Sequence, residues 1–175
     1  MWLKERPVDW IERPLQDAKV LVWCAISAKR IYGPYYFENT VNQHTYLENL
    51  LKNFIWPKQL RTTGYKNYYF QQDGATAHTA TSVQNWLRSK FGDKFMNKKK
   101  WPPRSPDLNP CDYYLWGYLK ARVYSPLPKT LAQLKINIEH KIKNIKPDVL
   151  KKIIENFKKR CNLVIGNLGG HFENK

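Results

Sequence analysis

YYFQQDGATAH (68–78) is the stretch whose reading decides the fold of this chain. An aromatic run passes through two glutamines to an acid, and a glycine and small residues then lead to a histidine. KNYYFQQ (66–72) reads as a strand, and Thr79 to Phe91 reads as a helix with Val83, Trp86, Leu87 and Phe91 inward. Asp73 therefore sits where a strand hands over to a helix, a recurrent active-site position in α/β folds. Gly74 leaves room for backbone or substrate beside it, and His78 lies near the start of the helix.

Upstream, KVLVWCAIS (19–27) and IYGPYYF (31–37) are rich in strand formers, and the short connection favours an antiparallel pair. Pro34 places an edge or a bulge in the second strand. Residues 43–56 switch to a helical period, with Tyr46, Leu47, Leu50, Leu51, Phe54 and Ile55 on one face and Pro57 as the stop. Downstream, FMNKKK (95–100) holds a short strand running into a basic run. WPPRSPDLNP (101–110) has four prolines and cannot be regular structure. A helix opens at Cys111 or Asp112 and runs to about Val123, and SPLP (125–128) resets the chain. Leu131, Leu134, Ile138, Ile142 and Ile145 mark one amphipathic helix. Pro147 opens another, with Leu150, Ile153, Ile154, Phe157, Cys161 and Val164 inward, ending at Asn167 to Gly170. The order of strands and helices describes an α/β domain with a mixed sheet. It divides into an irregular lead-in (1–18), a core (19–124) and basic C-terminal helices packing on it (125–175).

The chain has 175 residues, 42% hydrophobic and 14% aromatic, which suits a folded domain and not a disordered tail. Its formal charge is +16, unevenly placed: residues 1–87 hold ten basic and seven acidic side chains, residues 88–175 twenty and seven. Such an excess implies a polyanionic partner facing the C-terminal half. Cys24, Cys111 and Cys161 are widely spaced and make neither a disulfide framework nor a zinc knuckle, which fits a reducing compartment. No run approaches 18 apolar residues, so a membrane-spanning helix is not expected.

Asp112 begins a helix behind the proline-rich loop, where the helix dipole favours its ionised form. Asp107 is its rival. Two carboxylates from separate elements can share Mg²⁺ or Mn²⁺, and two such ions can activate water and stabilise the leaving oxygen of a phosphodiester. The plain alternative makes Asp73 a turn residue and Asp112 a helix cap. Of the upstream acids Glu5, Asp9, Glu12, Asp17, Glu38 and Glu48, none ends a clear strand so as to pair with Asp73 as a third ligand, and Glu38, after the second strand, is the least poorly placed.

VLVWCAIS (20–27), IYGPYYFENTVNQHTYLENLL (31–51), FQQDGATAHTA (70–80), WPPRSPDLNPCDYYLWGYLK (101–120) and NLGGHFE (167–173) together resemble the catalytic domain of mariner/Tc1-type DDE/D transposases, in particular insect transposon-derived members. The resemblance implies a ribonuclease-H-like mixed sheet flanked by helices, nuclear action on double-stranded DNA, and two Mg²⁺ or Mn²⁺ ions in an intact site. Asp73 matches the second triad carboxylate and Asp112, after 38 intervening residues, the third. Asp107 matches a motif residue outside the triad.

The family's first catalytic Asp lies on a first strand upstream of the region matching WCAIS, for which the lead-in offers no counterpart. The expectation is an N-terminally truncated fragment lacking that strand and inactive as it stands, with a homodimer as one way of completing the fold. The alternative is a non-catalytic basic DNA-binding module. DNA contact falls to Lys98, Lys99, Lys100 and Arg104 beside the Asp112 loop, and to Lys151, Lys152, Lys158, Lys159 and Arg160 on the last helix. His78 and Asp107 are auxiliary candidates. Trp101 and Trp116 read as core, with stacking on unpaired bases the alternative.

Overall fold

The computed structural model describes residues 19–60 and 64–167. The lead-in, with its prolines and with Glu5, Asp9, Glu12 and Asp17, and the NLGGHFE tail beyond Asn167 lie outside the described residues.

Strands β1 (Leu21–Ile26) and β2 (Ile31–Phe37) pair antiparallel, as the short connection requires. Their alternation sorts two cores. Val22, Cys24 and Ile26 of β1, with Ile31 and Tyr36 of β2, face the C-terminal helices. Trp23 and Ala25, with Tyr32, Tyr35 and Phe37, face the other way. Both faces are covered, which is why β1 reads as a continuous apolar run. The ladder slips between Trp23 and Ala25, where Gly33 stands at φ +93°. A Cβ on Gly33 would meet the Trp23 carbonyl oxygen at 2.7 Å, so only glycine fits this bulge. The irregularity expected from Pro34 is thus carried by its neighbour.

Helix α1 (Thr45–Leu60) is wound with i→i+5 bonds and capped by Asn42, whose Oδ1 accepts from the backbone amides of His44 and Thr45 at 2.9 and 3.0 Å. It runs through Pro57 where a stop was expected. Its last turn is held by packing: Leu60 is buried, and Gln59 Oε1 accepts from the Gly33 amide at 2.9 Å. The strand expected over 66–72 shrinks to β3 (Phe70–Gln71), because Tyr65–Asn67 close a tight turn instead. A single helical turn, α2 (Thr76–Thr79), precedes α3 (Thr81–Phe91). Strand β4 (Phe95–Met96) then pairs parallel with β3. Among the described residues the sheet is therefore two two-stranded ladders.

After the proline-rich loop, a wide helical turn (Cys111–Leu115) runs directly into Trp116–Val123, together α4. Helix α5 (Leu131–Lys143) is capped by Thr130, which accepts from the Gln133 amide at 3.1 Å, and α6 (Pro147–Gly166) opens on its proline as expected. Leu134, Ile138, Leu150 and Ile153 share one buried cluster with Cys24, Leu115 and Leu119. Two inward assignments are corrected. Leu131 is 50% exposed, since the first turn of α5 overhangs the core. Ile154, Phe157, Cys161 and Val164 are only half-buried, since few described residues cover the outer turns of α6.

Candidate active site

Asp73 leaves the end of β3 two residues after Gln71. Its Oδ1 accepts the Ala75 amide at 3.1 Å and makes a close hydrogen bond with His78 Nδ1. The turn reading of Asp73 is therefore correct as far as it goes, yet it leaves the carboxylate half-exposed at the mouth of a groove. His78 holds this carboxyl below the usual range, with a smaller contribution from the Ala75 amide, and partial burial opposes both.

His78 is fixed on every side. Its ring packs on Tyr46 with centroids 4.4 Å apart. Its carbonyl accepts Gln72 Nε2 at 2.8 Å and Gln84 Nε2 at 2.9 Å. Tyr46 donates in turn to Gln72 Oε1 at 2.9 Å. Helix α1, the residue after β3 and helix α3 thus converge on His78, Tyr46 on its ring and the two glutamines on its carbonyl, and the imidazole in turn positions the candidate carboxylate. Sequence reasoning singled out His78 but missed Gln72, Tyr46 and Gln84. The only available signal was that both glutamines lie close to Asp73 and His78 in the chain.

Asp112 is not the cap of α4. That role belongs to Asn109, whose Oδ1 accepts the Cys111 amide at 3.1 Å while its carbonyl accepts the Asp112 amide at 2.9 Å. The Asp112 carboxylate is left facing the groove. Partial burial and the negative charge of Asp73 raise its carboxyl above the usual range, against hydrogen bonds from the Asn109 and Trp116 side chains. The two carboxylates are therefore close enough to repel. Gln71 Nε2 ties β3 to the proline loop through the Leu108 carbonyl at 3.0 Å, which holds their elements together.

The groove between them has a volume of about 480 Å³ and is walled by β1, β3 and the start of α4, with Trp116 on one side. Asp73, Asp112 and His78 line it; Asp107 and Glu38 do not. Asp107 instead offers its carbonyl to Arg160 at 3.3 Å. Glu38 is exposed at the end of β2, and Glu48 pairs with Lys52 at 2.7 Å. Trp101 is buried, which removes it as a base-stacking surface, whereas Trp116 is half-buried in the groove wall.

The basic candidates do not gather in this groove, where Lys29 is the one Lys or Arg among the described lining residues. Lys98, Lys99 and Lys100 stand exposed on a turn shaped by the Asn97 side chain, and Arg104 is exposed nearby at φ 54°. Lys151, Lys152, Lys158 and Lys159 are exposed along α6, with Lys151 3.6 Å from Asp148. Arg160 turns inward, its guanidinium 4.5 Å from the Tyr113 ring centroid, so it braces α6 against the Asp107 loop. No described helix is long and apolar enough to cross a membrane.

Two carboxylates on a strand end and a helix start, in an α/β frame, stand where such folds commonly gather their active sites. The chain belongs to the DDE superfamily endonuclease family, whose match covers residues 4–135. Within that class it is similar to transposases of the mariner/Tc1 type. It is 31% identical over 169 residues to the Tc3 transposase of Caenorhabditis elegans, covering 95% of this chain and 49% of that protein. With the Tc1 transposase of the same organism it shares 30% over 173 residues, 90% of this chain and 60% of the relative. The chain thus spans about half to three fifths of the length of these relatives. Its fold matches that of the Mos1 transposase catalytic domain, solved with raltegravir and Mn, at a TM-score of 0.66 and 19% identity, over 88% of this chain and 83% of that one. The fold is ribonuclease-H-like.

Proposed function

We propose that this chain is the strand-cutting and strand-joining part of a DNA transposase, working on duplex DNA in the nucleus with Asp73 and Asp112 as its acidic ligands. The observation that carries the reading is that these two carboxylates share one groove, where the charge of Asp73 helps to raise the Asp112 carboxyl. A hard divalent cation relieves that repulsion, and carboxylate oxygens with water suit Mg²⁺ or Mn²⁺. The donor set fits one such ion. Among the described residues no group of three His, Cys, Asp or Glu side chains forms, so a second ion needs further donors.

When bound, the ion would supply charge stabilisation to the reacting phosphodiester. The protein's own part is positional. His78 orients the Asp73 carboxylate, and Asn109 orients the turn that carries Asp112. The apolar groove wall leaves the two carboxylates as the polar face toward which a phosphodiester would turn. Exposed lysines flanking the loop and along α6 supply the salt-sensitive hold on DNA. A second reading, a DNA-binding module without chemistry, is favoured by the groove's having only two carboxylates among the described residues.

Nicking of supercoiled plasmid in Mg²⁺ and in Mn²⁺ separates the two, beside Asp73→Asn and Asp112→Asn. Nicking abolished by both substitutions is the result the first reading requires. Plasmid that is bound yet uncut by the unmodified chain would establish the second.

A further inference from the structure

A second, smaller cavity of about 150 Å³ lies away from the groove, between one face of α3 and the basic turn after β4. Thr81, Gln84, Asn85 and Arg88 recur at helical spacing on that face, and Asn97, Lys98 and Lys99 close the other side. Among the described residues its lining carries three cations and no carboxylate. Arg88, Lys98 and Lys99 make no ion pair among the described residues, although Asp93 lies on the intervening turn. Three like charges around a hollow repel one another, and an anion in the hollow removes that cost. The volume equals about five waters of bulk liquid, enough for one tetrahedral oxyanion and its remaining hydration.

The cavity is built and not incidental. The Asn97 side chain accepts the Lys99 and Lys100 amides at 3.0 and 3.3 Å, which fixes the turn. Gln84, only 8% exposed, accepts the Lys98 amide at 3.3 Å and donates to the His78 carbonyl at 2.9 Å. One buried side chain therefore connects the basic turn to the residue that holds Asp73.

We propose that this cavity seats a backbone phosphate of duplex DNA, with the Arg88 guanidinium and the Lys98 and Lys99 ammonium groups as its donors. The proposal rests on the reading that the chain acts on DNA. Arg offers a planar fork that matches two phosphate oxygens, and lysines add point charge. Gln84 then sets the distance between the seated phosphate and the Asp73–His78 pair, so a strand held here runs in a fixed register to the groove. None of the seat residues touches the reacting atoms. Arg88, Thr81 and Asn85 extend the DNA-binding surface beyond the lysines that charge runs point to.

The test is fluorescence anisotropy of a labelled duplex over a salt series, comparing Arg88→Gln/Lys99→Gln with Lys129→Gln/Lys143→Gln. Both pairs remove two exposed positive charges, so a general loss of field affects them alike. The seat pair is expected to lose roughly tenfold in affinity and about 0.9 in the log–log salt slope, the contribution of one phosphate contact. The control pair is expected to stay within about twofold of the parent. Thr81→Glu, which puts a carboxylate into the seat, is expected to weaken binding at least as much with an unchanged melting temperature. Equal losses in both pairs, or no change in the seat pair while the parent binds DNA, would overturn the seat and leave the functional reading intact. A parent chain that binds no duplex at all would overturn both.

Discussion

Replacing Asp112 by Asn separates the cost of the site from its use. In the folded chain the Asp112 carboxyl is raised by partial burial and by the charge of Asp73. A carboxylate whose folded value lies above its unfolded one costs stability once both are ionised, so at pH 7 the charge on Asp112 opposes folding. Asparagine removes the charge and keeps an oxygen that can still accept from Asn109 and Trp116. Because Asp112 is exposed, solvent screening reduces the gain to about 0.5 kcal/mol. That corresponds to roughly 1–2 °C in melting temperature for a chain of this size. With Mn²⁺ at about ten times its dissociation constant, the parent gains RT ln 11, about 1.4 kcal/mol. Its melting temperature then rises by about 3–6 °C, while the variant barely responds. The order of stability should therefore reverse between EDTA and Mn²⁺, measured by circular dichroism melts at pH 7. A variant less stable than the parent in EDTA, or equal Mn²⁺ shifts in both, would refute the shared-charge reasoning.

Other consequences follow from particular contacts. Leu50, fully buried on the inner face of α1, should cost about 2–5 kcal/mol as Leu50→Ala, seen as a lower urea midpoint with unchanged slope. Asp73 has a lowered folded value, so its contribution is complete above the unfolded value near 3.9 and fades as pH falls through the folded one. His78→Gln, which removes the largest cause of that lowering, should move the acid-unfolding midpoint to higher pH. Burial raises the Cys24 thiol to about 12 and pushes Cys111 up as well. In the native chain at pH 8 a thiol reagent should accordingly modify Cys161 first and reach the other two only on unfolding.

The sequence made the two carboxylates legible because each is announced by chain-breaking chemistry: Asp73 by the strand that stops before Gly74, and Asp112 by prolines that end just ahead of it. The sandwiched β1 was legible for the same kind of reason, since a strand buried on both faces is apolar at every position. What escaped the sequence depends on contacts between distant residues. Pro57 looks like a terminus until Gln59 finds Gly33, and 66–72 looks like a full strand until Tyr65–Asn67 turn. Asn109 took the cap that Asp112 was equally suited to by residue type. Gln84 carries no periodic or motif signal. Its importance comes from reaching His78 and Lys98 at once.

The most direct measurement is localised cleavage by Fe²⁺ loaded in place of Mg²⁺, with ascorbate and peroxide generating radicals at the ion. Cuts in the polypeptide beside both Asp73 and Asp112, lost together in Asp73→Asn, are the expected result, because one ion shared by the groove must mark both elements. Cuts at other positions, or a pattern that Asp73→Asn leaves unchanged, would contradict the assignment of this groove as the site.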